Sequence, residues 1–163
     1  MPHENQILFV CTGNTCRSPM AEYLFRAWAG PKAEWRAVSA GIAAFPGIPA
    51  SRAAIATMKT RGIDMTQHRS QPLSRELIDQ SAAIVVMART HMDFIREHYI
   101  EAKPRLFMFS AFGPGRIDKD IADPIGGAES EYRDIASELE RIMPDLLLRL
   151  HEKFGTLPDR KRG

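Results

Sequence analysis

Short apolar runs without a helical period alternate along this chain with segments that repeat apolar residues at helical spacing. Residues 6–10, 35–40, 82–87 and 105–109 are predicted to be strands. Runs of this kind, with few polar residues on either side, are typical of strands that are buried on both faces of a parallel sheet. The alternation predicts a single α/β domain with a four-stranded parallel sheet flanked by helices on both faces.

The helices are predicted between and after these strands, at residues 20–28, 49–60, 74–80, 91–99 and 129–154. Ser18-Pro19 marks the start of the first helix. The last helix carries a long apolar stripe that is interrupted only by Pro144. We predict one domain over residues 1–157 and a short basic tail over residues 158–163.

Charge and hydropathy exclude several classes of partner. The net charge is +2, and the only dense basic cluster lies in the predicted tail, so no nucleic-acid partner is expected. No apolar run approaches the ~20 residues of a membrane span, and no leader pattern precedes the first strand, so a cytoplasmic location is expected. Cys11 and Cys16 are too few for a disulfide framework or a zinc site and are interpreted as reactive thiols.

Residues 11–18 lie between the first predicted strand and the first predicted helix. Ligands of open α/β sheets bind at the carboxyl ends of strands, and the first turn of a helix offers free amides and a positive dipole end to an anion. Gly13 and Asn14 tolerate the positive φ values of a tight anion-binding loop. The sequence therefore predicts an anion site here.

Two side chains of this loop can do chemistry on a bound phosphate. The loop amides should lower the pKa of Cys11 and make it a thiolate near neutral pH. Arg17 can contact two phosphate oxygens through its planar fork. A cysteine after a buried strand is often only a packing residue, and an arginine at a helix start is often a surface charge. The strand–loop–helix context favours the functional interpretation.

Residues 10–22, Val-Cys-Thr-Gly-Asn-Thr-Cys-Arg-Ser-Pro-Met-Ala-Glu, resemble the signature of the low-molecular-weight protein tyrosine phosphatase family. The resemblance extends over most of the chain. It implies a phosphate-binding loop after the first strand, and a phosphoprotein phosphatase that works through a phosphocysteine intermediate. It also implies a phosphorylated protein or peptide as substrate and no metal or cofactor, because Arg17 and the loop amides carry the charge.

The resemblance also assigns roles to individual residues. Cys11 is the nucleophile, Arg17 binds the phosphate, and Asp123, in Asp123-Pro124, is the general acid. Asp118 and Asp120 are nearby competitors for the acid role, but neither precedes a proline. The remaining residues of the phosphate-binding loop are Thr12, Gly13, Asn14, Thr15, Cys16 and Ser18.

Supporting roles follow from the same resemblance. Ser39 and His68 match the residues that hold the loop asparagine, and Ser18 matches a hydrogen-bond donor to the thiolate. Cys16 matches a disulfide partner for Cys11 that protects it from over-oxidation, and it is equally interpreted as a small buried residue.

The resemblance leaves two phosphorylated side chains open as the substrate. Phosphotyrosine is the family default, but Thr15 and the Gly-Gly after Asp123-Pro124 resemble the protein-arginine phosphatase branch. Ile125 departs from both patterns, which carry an aromatic residue there, and Phe45 is a candidate to replace that aromatic wall. Two further functions are considered, an arsenate reductase and a non-catalytic protein that binds phosphorylated residues. The first needs cysteines beyond Cys16, and the second is expected to lose the nucleophile or the acid.

Overall fold

The computed structural model describes residues 4–154. Its strands are β1 (Glu4–Cys11), β2 (Arg36–Gly41), β3 (Ser81–Val86) and β4 (Leu106–Met108). Its α-helices are α1 (Arg17–Ala29), α2 (Arg52–Lys59), α3 (Arg75–Gln80), α4 (Arg89–His98) and α5 (Glu129–Phe154). Short 3₁₀ helices span Ile100–Arg105, Phe109–Phe112 and Pro114–Arg116. The predicted basic tail, residues 158–163, lies outside the described residues.

The four strands form one sheet in the order β2-β1-β3-β4, and every neighbouring pair is parallel. The predicted fold is therefore confirmed. From β1 the chain moves to β2 on one side and then returns to β3 on the other side. A parallel sheet opens a crevice at such a reversal, outside the carboxyl ends of its strands. The segment that follows β1 lies in this crevice.

The core lies on both faces of the sheet, and β1 shows why. Ile7 and Phe9 point to one face, where they pack with buried residues of α1 and α5. Leu8 and Val10 point to the other face, where they pack with buried residues of α3 and α4. All four side chains are fully buried, which explains the run of apolar residues without alternation.

Helix α5 has the predicted bounds and runs through Pro144. The apolar stripe does not stop there, and one continuous helix of 26 residues runs through the proline. Pro144 lies on the exposed face of α5, so water can satisfy the carbonyl that the missing N–H leaves free. On the opposite face, burial of Leu139, Met143 and Leu146 against the sheet holds the helix together. No helix in residues 4–154 is long and apolar enough to cross a membrane.

Candidate active site

The loop predicted to bind an anion leaves β1 at Cys11 and enters α1 at Arg17. Asn14 has a φ of 58°, the left-handed conformation, and its amide donates to Cys11 Sγ over 3.3 Å. Gly13 is not among the described residues with positive φ, so the predicted conformation holds for Asn14 alone. Asparagine adopts this conformation more easily than other non-glycine residues, and here it turns the chain back toward the sulfur.

Gly41 at the end of β2 was missed in the sequence and is required by the loop. A Cβ at this position would lie 2.4 Å from the carbonyl oxygen of Thr12 and 3.0 Å from the amide nitrogen of Asn14. Both atoms belong to the backbone, so the loop would have to move. The amides of Ile42 and Ala43 donate to the carbonyls of Cys11 and Thr12 over 3.0 and 2.9 Å, which fastens the two segments together.

A continuous chain of hydrogen bonds runs from Cys11, the predicted nucleophile, into the core. Cys11 Sγ lies 2.8 Å from Ser18 Oγ. Asn14 Nδ2 donates to Ser18 Oγ over 2.8 Å and to Ser39 Oγ over 2.9 Å. Ser39 Oγ in turn donates to Glu22 Oε1 over 2.7 Å. Ser18 Oγ accepts from Asn14 and keeps its own hydroxyl hydrogen, which it can donate to the sulfur when Cys11 is a thiolate.

The two predicted supporting residues both contact Asn14. Besides Ser39, His68 is buried and places Nε2 2.8 Å from the Asn14 carbonyl oxygen. The Gln71 amide donates to Asn14 Oδ1 over 3.0 Å. All hydrogen-bonding atoms of the Asn14 side chain are thereby used, so the residue holds one orientation.

Glu22 is a buried carboxylate at the inner end of this network. Burial raises the pKa of Glu22, while the hydrogen bond from Ser39 and the charges of Arg26 and His68 lower it. Arg26 Nη2 lies 2.6 Å from Glu22 Oε2. Glu22 is the last residue of the signature segment, and its sequence position alone indicated no role for it. A carboxylate only accepts, so it orients the Ser39 hydroxyl.

The charge state of Cys11 depends on burial as well as on the loop. Burial raises the pKa of the Cys11 thiol, and this effect outweighs the lowering by the Ser18 hydrogen bonds, the Arg17 charge and the Asn14 amide. The loop amides lower this pKa as predicted. Cys11 is only 3% exposed, however, so burial raises the pKa by more, and the loop amides alone do not make Cys11 a thiolate. Each polar neighbour is needed to move the thiol toward the thiolate, and the α1 dipole acts in the same direction.

Arg17 joins the loop to the segment that carries the predicted acid. Its Nη1 donates to the carbonyl of Ile121 over 2.9 Å, and its Nη2 lies 3.5 Å from Asp123 Oδ2. The Arg17 side chain is 6% exposed and the Asp123 side chain 43% exposed. The Arg17 side chain is thus buried, while the Asp123 carboxylate beside it is open to solvent and to a substrate.

The acid-bearing segment, residues 117–124, is docked on the edge of the sheet. The Ile121 amide donates to the Met87 carbonyl over 2.8 Å, directly after β3. Asp120 accepts from the first amide of α4, that of Arg89, over 2.8 Å, and Asp118 lies 3.8 Å from the Arg89 guanidinium. The two competing aspartates are therefore engaged at the start of α4, and Asp123 is the one that lies beside Arg17.

Thr15 and Cys16 form the far side of the loop. Thr15 Oγ1 lies 3.7 Å from Cys16 Sγ, and the Thr15 carbonyl accepts from the Ser51 amide over 3.0 Å. Cys16 Sγ lies 3.5 Å from Ser51 Oγ and 3.6 Å from the Tyr132 hydroxyl. Both cysteines are free thiols in the structure, so the disulfide between them stays a prediction.

The two residues predicted as a substrate wall are both exposed. Phe45 is 77% exposed, so it does not belong to the core, and it follows the segment that is hydrogen-bonded to Thr12. Ile125 is 64% exposed, and its amide donates to Asp123 Oδ1 over 3.1 Å. The backbone at Ile125 thus helps to orient the predicted acid, whereas its contact with a substrate stays a prediction.

His91 was also missed in the sequence. It lies in the first turn of α4, fully buried, with Nε2 2.9 Å from Thr12 Oγ1. Its position shortly after the carboxyl end of β3 is the signal that could have found it, because parallel sheets place functional side chains there. In residues 4–154 no group of three or more His, Cys, Asp or Glu side chains could hold a metal ion.

Comparison with known proteins agrees with this geometry. Residues 6–156 match the family model described as low molecular weight phosphotyrosine protein phosphatase. The chain belongs to this family. Low-molecular-weight phosphatases are cysteine-dependent enzymes, and this chain is accordingly a cysteine-dependent protein phosphatase whose substrates are phosphorylated proteins.

Relatives within the low-molecular-weight phosphatase family carry two substrate names. A protein-arginine-phosphatase of Geobacillus stearothermophilus is 43% identical over 156 residues, covering 96% of this chain and 99% of the relative. A probable low molecular weight protein-tyrosine-phosphatase, EpsP of Ralstonia solanacearum, is 35% identical, covering 83% of this chain and 88% of the relative. A solved structure of a YwlE arginine phosphatase mutant with a phosphorylated active-site serine has a TM-score of 0.85 at 32% identity, covering 90% of this chain and 96% of that one.

Proposed function

We propose that Cys11, Arg17 and Asp123 carry out a two-step phosphoryl transfer. In the first step the Cys11 thiolate forms a bond to phosphorus on the side opposite the leaving group. The loop amides and Arg17 stabilise the phosphoryl oxygens, and the bond to the leaving group breaks as Asp123 donates a proton to it. The observation that carries this proposal is the distance of 3.5 Å between Asp123 Oδ2 and Arg17 Nη2. Arg17 is the residue at which the loop that starts at Cys11 enters α1.

In the second step water hydrolyses the phosphocysteine. The Asp123 carboxylate takes a proton from the water as the oxygen attacks phosphorus, and the S–P bond breaks with its electron pair returning to sulfur. The Ser18 hydroxyl, 2.8 Å from Cys11 Sγ, stabilises the departing thiolate. Inorganic phosphate is released and Asp123 is again protonated for the next cycle.

Trapping the phosphorylated enzyme tests this chemistry. The Asp123→Asn variant lacks the base of the second step, so we expect it to accumulate phosphoenzyme during turnover of p-nitrophenyl phosphate. Rapid quenching followed by peptide mass spectrometry should locate the phosphate on Cys11. The phosphorylated active-site residue in the YwlE mutant supports an enzyme-bound phosphoryl group at this position. Phosphate on any other residue would contradict the proposal.

Two substrates are proposed for the site. Phosphotyrosine is the substrate named for the family as a whole. Phosphoarginine is favoured by a specific observation: Thr15 places a hydroxyl in the loop, and the relative that is 43% identical over 96% of this chain is named a protein-arginine-phosphatase. A hydroxyl can accept from a guanidinium nitrogen or orient water, which an aliphatic side chain cannot do.

Replacing Thr15 with isoleucine separates the two substrates. If phosphoarginine is the native substrate, we expect kcat/KM on a phosphoarginine peptide to fall about 10-fold to 100-fold, the size of one hydrogen bond to a charged group. On a phosphotyrosine peptide kcat/KM should fall less or rise. Thr15→Ser keeps the hydroxyl and is the matched control, which should retain the substrate ratio of the wild type. A ratio that is the same in Thr15→Ile and wild type would remove Thr15 from the argument.

The setting of the enzyme is also a proposal. We propose a cytoplasmic location, supported by the free thiols of Cys11 and Cys16, which a reducing compartment preserves. The absence of a nucleic-acid partner and of membrane association remains a prediction from the charge and hydropathy of the sequence. Cell fractionation checks this location. Soluble, membrane and exported proteins are separated, and each fraction is probed for this chain with an antibody.

A further inference from the structure

His91 is a buried polar residue that the proposed mechanism does not use. It is 0% exposed, and its only side-chain hydrogen bond within residues 4–154 joins Nε2 to Thr12 Oγ1 over 2.9 Å. The other ring nitrogen, Nδ1, is buried without a partner among those residues. A leucine or methionine in the same place would bury no unpaired polar atom, so the packing of α4 does not explain a histidine here.

The environment of His91 keeps its ring uncharged. The pKa of His91 is lowered to about 4, because burial disfavours the charged ring and the Arg17 guanidinium repels it. Asp120 and Asp123 act in the opposite direction but more weakly. An imidazole that is neutral at the pH of the cell and fully buried is poorly suited to donate protons to a substrate. It remains able to hold a neighbouring hydroxyl group.

The hydroxyl that His91 holds belongs to the phosphate-binding loop. Thr12 Oγ1 lies between His91 Nε2 and Arg17 Nη2, at 2.9 and 3.5 Å. The same Arg17 nitrogen lies 3.5 Å from Asp123, and the other donates to the Ile121 carbonyl over 2.9 Å. Thr12 itself is exposed, so without His91 its side chain would be free to rotate into water.

We propose that His91 is a positioning residue for the reaction, acting through the Thr12 hydroxyl on the Arg17 guanidinium. The inference rests on the proposed function, since it concerns the geometry of the same phosphoryl transfer. The neutral ring fixes the rotamer of Thr12, and Thr12 fixes one edge of the arginine fork between the loop and the acid-bearing segment. Arg17 and Asp123 then meet the transferring phosphoryl group in one arrangement rather than several.

Two substitutions at His91 test this role. His91→Leu fills the space but cannot form a hydrogen bond with Thr12, and we expect kcat for p-nitrophenyl phosphate to fall roughly 10-fold to 100-fold. KM should change much less, because the loop amides still bind the phosphate. The melting temperature should stay equal or rise, because an unpaired buried nitrogen is removed. His91→Gln carries an amide whose oxygen can accept from the Thr12 hydroxyl and whose nitrogen can donate to it, so it should restore much of kcat. A loss of kcat that merely follows a fall in melting temperature, or no restoration by glutamine, would overturn the proposal.

A double-mutant cycle with Thr12→Val tests the route through Thr12. If His91 acts through this hydroxyl, the double variant should be no slower than the slower single variant. Fully multiplicative losses would contradict the proposal. His98→Leu is the matched control, because it removes an exposed histidine from the same helix. An inactive wild type would refute the proposed function. An active wild type with an equally active His91→Leu variant would refute only the role of His91.

Discussion

Replacement of Cys11 by serine is expected to lower kcat for p-nitrophenyl phosphate by about 10⁴-fold or more, because the covalent step loses its nucleophile. The serine hydroxyl has a much higher pKa than a thiol, and the surrounding groups do not supply a base for it. The Ser18 hydroxyl, 2.8 Å from Cys11 Sγ, is a weak base, and Arg17 carries a positive charge and cannot accept a proton. The measurement is a steady-state rate assay on purified variants whose circular dichroism and thermal unfolding match those of the wild type.

Cys16→Ser is the comparison that makes this result specific. Cys16 is the second thiol of the same loop, but its sulfur faces Ser51 and Tyr132 rather than Ser18. We therefore expect the fall in kcat for Cys16→Ser to be at least about 100-fold smaller than the fall for Cys11→Ser. Equal losses in both variants would show that the loop tolerates no change of sulfur to oxygen and would leave Cys11 without a special role. Serine at position 11 with activity near that of the wild type would contradict the covalent mechanism.

Replacement of Asp123 by asparagine is expected to lower kcat by about 10²-fold to 10⁴-fold on substrates with a strongly basic leaving group, the usual contribution of a general acid. The reason is that asparagine keeps the size and the hydrogen bond from the Ile125 amide but has no proton to give. On p-nitrophenyl phosphate the first step should suffer less, because p-nitrophenolate leaves readily without protonation. A series of aryl phosphates measured under single-turnover conditions should show a loss that grows with the basicity of the leaving group.

Asp118→Asn is the matched control for the acid. Asp118 is an exposed aspartate of the same segment, and its carboxylate lies 3.8 Å from the Arg89 guanidinium. We expect this variant to keep the leaving-group dependence of the wild type. A loss in Asp123→Asn that is the same for every leaving group would assign Asp123 a role in binding rather than in proton transfer. A leaving-group-dependent loss in Asp118→Asn would move the acid to that residue.

The parts of the fold and of the site that could be predicted from the sequence are those that depend on short-range patterns. The strand runs were found within a residue or two of their observed ends, because strands buried on both faces need apolar residues throughout. The start of α3 was found because Ser74 is its N-cap and accepts from the Leu77 amide. Cys11 and Arg17 were found because both lie in one segment between a strand and a helix. Such features depend on neighbours in the sequence.

The errors arose where distant segments decide the outcome. Helix α4 begins earlier than predicted, at Arg89, because Asp120 caps its first amide from another part of the chain. Helix α5 was predicted with its observed bounds, but its continuity through Pro144 also depends on the fold, because the apolar stripe is held against the sheet on one side and Pro144 faces water on the other. The pKa of Cys11 is raised because the whole fold buries it, an effect that no inspection of residues 11–18 reveals.

By itself the sequence determined the parallel sheet and the loop after its first strand, since these follow from local periodicity and from residues that are adjacent in the chain. The tertiary structure alone decided that Asp123 lies beside Arg17 and that Gly41 makes room for the loop. It also decided that His91 contacts Thr12 and that Glu22 contacts Asn14 through Ser39. The physical reason is that carboxylates, histidines and glycines have no periodic signature. Their roles depend on distances across the carboxyl edge of the sheet, which only the folded chain sets.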